Sequence, residues 1–172
     1  MQNTKQATQG FHCPRWEELP GIPLYMDQVI FLLEESLGAF ADDKERVVTP
    51  TMVNNYVKHK QIEPPVKKRY SRQHLAILVV VSVMKRVLSI GEITTLVSLM
   101  VERYGAQQAY DLFCEQLEEM LQGCYTQRPL QAAAGADEML AALNAALNAL
   151  GGKLYLQDYL AGCLEETPQP TK

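Results

Sequence analysis

The 172-residue sequence predicts an all-α protein, a four-helix unit carrying a basic loop and followed by a helical C-terminal region. Three observations predict it. Apolar residues recur at three- and four-residue steps along most of the chain, the period of an amphipathic helix and not the alternation of a half-buried strand. Threonine and serine stand where helices would begin, and glycines where they would end. The one stretch that forbids helix, Pro64-Pro65, lies inside the most basic part of the chain. On this pattern residues 1–20 form an N-terminal tail, 21–104 the four-helix unit, 105–165 the helical C-terminal region and 166–172 a disordered tail.

Taken in order, Met26, Val29, Ile30, Leu33 and Leu37 mark a first helix over 24–37, which Gly38 is placed to end. A charged connector, 41–46, leads to Thr49-Pro50-Thr51. There a threonine cap and a proline in the first turn start a second helix, reaching about Lys60. Residues 61–70 read as a basic loop or wing, with Pro64-Pro65 followed by Lys67, Lys68 and Arg69. Ser71 caps a third helix whose interior, 75–88, is apolar nearly all round and so belongs at the centre of the fold. Ser89 caps a fourth, with Ile93, Leu96, Val97, Met100 and Val101 on one side and Gly105 as its stop.

Beyond it, 106–122 reads as an amphipathic helix through Tyr110, Phe113, Leu117 and Leu121, with Glu115, Glu118 and Glu119 as an acidic outer face. A connector containing Pro129 precedes an alanine- and leucine-rich helix over 136–150, with Leu140, Leu143, Leu147 and Leu150 in line and Gly151-Gly152 as a stop. A last short helix is predicted over 153–165, carrying Leu154, Leu156, Tyr159, Leu160 and Leu164. No heptad repeat is evident after Tyr104.

Composition narrows the class of function. With 47% hydrophobic and 21% charged residues the chain is ordinary globular material. Its first ten residues lack the basic start and apolar stretch of a secretory signal, and its longest apolar run, 75–84, is about half what a membrane-spanning helix needs. A cytoplasmic protein without membrane contact is expected. Cys13, Cys114, Cys124 and Cys163 are scattered, as structural thiols of a reducing compartment would be, and His12 beside Cys13 has no partner ligands nearby. Neither a metal nor a cofactor is expected. No glycine-rich phosphate loop, and no nucleophile with a plausible histidine partner, points to an enzyme.

The net charge of −4 hides a segregation. Between Arg46 and Arg86 nine bases (Arg46, Lys58, Lys60, Lys67, Lys68, Arg69, Arg72, Lys85, Arg86) stand against the single acid Glu63, a local +8. The remaining seven bases stand against nineteen acids, or −12. Such polarity turns one part of a molecule toward a phosphate backbone. On the second helix, a turn of about 100° per residue separates Met52, Val53, Tyr56 and Val57 from a polar arc of Thr51, Asn54, Asn55 and Lys58. Asparagine reads adenine edges bidentately in the major groove, while threonine and lysine hold phosphates, so this arc suits a recognition helix. The basic loop and Arg72, Lys85 and Arg86 on the third helix would clamp the backbone on either side.

The order of a helix, Thr-Pro-Thr-Met-Val-Asn-Asn-Tyr (49–56), Pro64-Pro65, Tyr70-Ser71, a long apolar helix and Leu88-Ser-Ile-Gly-Glu-Ile93 resembles the winged helix-turn-helix of MerR-like regulators. More closely, Leu19-Pro-Gly-Ile-Pro-Leu-Tyr-Met-Asp-Gln-Val-Ile30, Met52-Val-Asn-Asn-Tyr-Val-Lys58 and Tyr70-Ser71-Arg72 look like the uncharacterised bacterial family DUF1836, over roughly residues 16–104. The MerR resemblance implies that Asn54 stands at a basic recognition-helix position, with Asn55 and Tyr56 where two tyrosines usually stand. Asparagine replaces the base, the connector before the second helix is longer, and the wing is shorter. The long dimerisation helix of that family is not expected here.

The function these readings predict is sequence-specific binding of double-stranded DNA by a transcriptional regulator, through Thr51, Asn54, Asn55, Tyr56, Lys58, Lys60, Lys67, Lys68, Arg69 and Arg72. A homodimer paired through apolar faces of 106–164 would match a palindromic operator. The alternative is an adaptor that uses the winged-helix shape to hold another protein. Ligand sensing by Tyr110, Phe113, Tyr125 and Tyr159 is a further possibility compatible with the first.

Overall fold

The computed structural model describes residues 10–41, 46–126, 128–131 and 137–165, with the side chains of 162–165 left out. The predicted C-terminal tail at 166–172 lies outside the described residues. Among the described residues six α-helices run in order: α1 (Met26–Leu37), α2 (Pro50–Lys58), α3 (Arg72–Met84), α4 (Ile90–Tyr104), α5 (Ala106–Cys124) and α6 (Glu138–Glu165). No strand occurs among the described residues, only two isolated antiparallel bridges, Leu24 with Tyr70 and Val66 with Arg69. No described helix is long and apolar enough to cross a membrane.

The helix ends follow the residues that suit them. Thr49 Oγ1 accepts the Met52 N–H at 3.2 Å with Pro50 at the first helical position, so α2 starts where its orphan donor is satisfied. At α4 the Ser89 and Glu92 side chains satisfy each other's backbone N–H, a reciprocal capping box. Gly105, at φ +80°, turns the chain between α4 and α5 in a conformation that side chains resist. Asp137 takes the Tyr104 hydroxyl, the Met139 N–H and Arg103 Nε at 2.7, 3.0 and 2.9 Å, and these donors hold its carboxyl at about 2.

α3 is the central element: nine of its thirteen residues are buried, and it packs against α1, α4, α5 and α6. α2 packs on α1, and α5 lies between α4 and α6. The buried core continues across the predicted boundary at 104/105: Ile93 and Met100 of α4 and Tyr110, Phe113 and Leu117 of α5 belong to one buried cluster.

Two further expectations are corrected. The segment read as an N-terminal tail is packed from Phe11 onward. Cys13 and Leu19 are buried, and Arg15 makes a bidentate ion pair with Glu118 at 2.8 and 2.7 Å. The Cys13 and Trp16 N–H groups donate to Glu118 and Asp111 at 2.8 Å, and the Tyr110 hydroxyl donates to the Pro14 carbonyl at 2.8 Å. Glu118 therefore anchors this strap across α5 and does not belong to an acidic outer face. The second correction is at Gly151-Gly152, which does not stop a helix, since α6 is a single helix of 28 residues. A Cβ at Gly151 would stand 2.7 Å from Met120 Sδ, so at this glycine α6 lies too close to α5 to admit a side chain.

Candidate nucleic-acid interface

α2 has the two-sided character its sequence predicts. Val53 is buried, Tyr56 and Val57 are partly buried against the core, Met52 is half-buried, and Thr51, Asn54, Asn55 and Lys58 are exposed. Tyr56, grouped in the sequence reading with the DNA-contacting residues, is on the packing side. Burial there raises its phenol above the ordinary value. The side chains of Thr51, Asn54, Asn55 and Lys58 engage no other group among the described residues, so their donors and acceptors are available to an outside partner.

The helix leaves through Lys60, which is left-handed at φ +56°, with the Gln61 N–H returning to the Tyr56 carbonyl at 2.8 Å. This C-terminal position usually falls to glycine or asparagine. The chain next makes a tight turn over 66–69, closed by the Arg69 N–H on the Val66 carbonyl at 2.9 Å, with Lys67 and Lys68 both left-handed at +51° and +62°. That is the geometry of a two-residue hairpin turn for which Asn-Gly is the ordinary choice. The paired Leu24 and Tyr70 backbones, at 2.9 and 2.8 Å, tie the end of the turn to the segment entering α1. Arg69 lies 4.7 Å over the Tyr25 ring and donates to its hydroxyl at 2.8 Å, so its side chain is braced, while Lys67 and Lys68 project free of any partner among the described residues.

The bases at the two ends of α3 have a different fate. Lys85 Nζ donates to the Val47 carbonyl at 2.8 Å, and Arg86 donates to the Phe40 carbonyl. Both hold the connector between α1 and α2, where their position in the sequence predicts phosphate clamps. Arg72 pairs with Glu17 of the N-terminal strap at 2.8 Å and is three-quarters buried, with Nη2 3.2 Å from where a Cβ on Gly21 would stand. The polar carbonyls of a long connector and an acid on the strap capture these cations, which no local pattern in the sequence announces. The basic segment thus separates into exposed lysines on α2 and the turn, and structural bases at the two ends of α3.

A ligand site in the C-terminal helices does not assemble from the four aromatic residues named for it. Tyr110 and Phe113 line a narrow apolar cleft of about 50 Å³ with Trp16, Ile93 and Met100, Tyr125 donates to Asp158 at 2.8 Å, and Tyr159 is exposed. A small-molecule pocket is usually several times larger. No group of three or more His, Cys, Asp or Glu able to hold a metal occurs among the described residues.

Fold and surface together define an all-helical module with an exposed polar helix and a lysine-tipped turn beside it in sequence. Residues 14–119 match the family described as a domain of unknown function (DUF1836), and the chain belongs to that family. The match ends within α5, past the boundary drawn from the sequence at 104, and takes in the strap from Pro14. No curated protein and no solved structure matches the chain.

Proposed function

We propose that the protein is a sequence-specific DNA-binding regulator of the bacterial cytoplasm, a compact variant of the winged helix-turn-helix. In this reading α2 enters the major groove, with Asn54 and Asn55 reading base edges, Thr51 and Lys58 holding flanking phosphates, and the 66–69 turn acting as a minimal wing. One observation carries the reading. The only non-glycine residues with positive φ among those described are Lys60, Lys67 and Lys68, all three exposed and cationic. An L-residue in this conformation costs on the order of 1 kcal/mol relative to glycine. Three positions that glycine would relieve keep an ammonium group instead, which is the pattern of residues held for contact with an anion.

The test is binding of labelled genomic duplexes by the intact protein as a function of salt. Each phosphate contact contributes roughly −0.9 to the slope of log affinity against log salt concentration. Lys67→Ala with Lys68→Ala should therefore flatten the slope by about 2 and weaken binding to every sequence alike. Asn54→Ala should cost about 1–3 kcal/mol on the preferred sequence and little elsewhere. Retention of no duplex at low salt would sink the proposal.

An adaptor without nucleic acid is the second reading. It is favoured by the exposed apolar side chains of Ile22, Phe31 and Val66, the last immediately before the lysine pair. Val66→Asp abolishing capture of a protein partner while leaving DNA binding intact would move the assignment to it.

A further inference from the structure

The first half of α6 is nearly all alanine and leucine yet is buried on one side only. Between Met139 and Gly152 it carries no charged residue at all. Leu143, Asn144, Leu147, Leu150, Gly151 and Leu154 face the core, and the opposite side presents Ala142, Ala145, Ala149, Gly152, Leu156 and Tyr159, every one of them exposed. A helix apolar on all sides is ordinarily covered on all sides. The six outer residues are spaced 3, 4, 3, 4 and 3 apart, an a/d seam hidden from the sequence reading because four of its members are alanine or glycine.

The seam is graded in size, small from Ala142 to Gly152 and large at Leu156 and Tyr159, with Leu160 beside them. In an antiparallel pair about a two-fold axis between Ala149 and Gly152, Ala142 of one copy meets Tyr159 of the other, Ala145 meets Leu156 and Ala149 meets Gly152. Every bulky residue then lies over an alanine, and the backbones come closest where the side chains are smallest. A parallel pair would set Tyr159 on Tyr159 and leave the alanine half apart.

The exposed fractions of Tyr155, Leu156, Tyr159 and Leu160 are 38, 53, 61 and 51%. With the alanines and glycine they leave on the order of 500 Å² of apolar surface per chain, more than a stray surface residue accounts for. Two such faces hide about 1,000 Å², the least that a biological interface buries.

We infer that the outer face of α6 is a homodimer interface, in which a second copy of this chain packs its own α6 antiparallel across Gly152. The inference rests on α6, which lies outside the family match, and is independent of the nucleic-acid reading. If both hold, the two-fold axis supplies two α2 helices to one duplex. The test is sedimentation of the full chain without DNA from 1 to 100 μM, with two variants. The wild type should sediment at twice the chain mass. Leu156→Glu should raise the dissociation constant at least thirtyfold, as loss of an interface anchor does. Gly152→Leu should do the same by blocking the crossing, while circular dichroism stays unchanged, because nothing lies within 4 Å of a Cβ at Gly152 in the single chain. A wild-type monomer at 100 μM would overturn the assignment and leave the face to a different protein. A dimer that persists in both variants would place the interface elsewhere.

Discussion

Lys68 holds a residue-scale conflict between comfort and charge. Its left-handed backbone suits glycine, and its exposed side chain has no hydrogen-bond or ion-pair partner among the described residues. Lys68→Gly is therefore expected to stabilise the fold, by up to about 1 kcal/mol, while lowering affinity for duplex DNA. A thermal melt read beside a binding titration checks both signs. Glu118 is the opposite case, a residue whose contacts are structural. Burial raises its carboxyl, but the Arg15 guanidinium, the Cys13 N–H and His12 together leave it below its ordinary value of 4.5. The unfolded chain thus binds a proton more readily than the folded one. The contribution is complete above about pH 4.5 and is lost as pH falls through the lowered folded value. Glu118→Gln should cost about 2 kcal/mol at pH 7, and the difference from wild type should shrink in acid-range melts.

Adjacent glycines of α6 separate two roles at the scale of the element. Gly151 is closed against Met120 and Cys124, and Gly152 is open. In the single chain, Gly151→Ala should destabilise by about 1–2 kcal/mol through overpacking, while Gly152→Ala should stabilise by up to about 1 kcal/mol through helix propensity. Chemical denaturation at low protein concentration compares them. The turn between α2 and α3 shows how much an element borrows from its neighbours: four residues hold a tight turn because the Leu24 backbone pairs with Tyr70 and the Tyr25 ring supports Arg69. Most of the elements were legible in the sequence. The caps at Thr49 and Ser89, the stop at Gly105 and the two faces of α2 follow from local periodicity and hydrogen-bonding needs. The continuity of α6 was not, because a glycine pair carries the same local signal whether it ends a helix or admits a neighbouring one.

The whole molecule folds around α3, and the strap, α4 and α5 complete the cover. A chain ending at residue 104 would expose Trp16, Ile93 and Met100, which Tyr110 and Phe113 help to cover. Such a fragment is expected to lose cooperative unfolding, and the intact chain to melt in one transition; circular dichroism on the two distinguishes this from a free-standing four-helix unit. The charge segregation also has its meaning at this scale. It orients the molecule toward an anion only through those cations that the fold leaves exposed.

By itself the sequence determined the helical class, the position of the caps and turn, the exposed arc of Thr51, Asn54, Asn55 and Lys58, and the DUF1836 likeness. All of these depend on residues near one another in the chain, where period and backbone chemistry are decisive. The tertiary structure alone decided which bases are free: Arg72, Lys85 and Arg86 are taken by Glu17 and by the carbonyls of Val47 and Phe40. It also bound the N-terminal strap to Glu118 and turned an uncharged face of α6 outward. These outcomes join residues tens of positions apart, and no local rule reports a partner that only the folded chain brings within hydrogen-bonding distance.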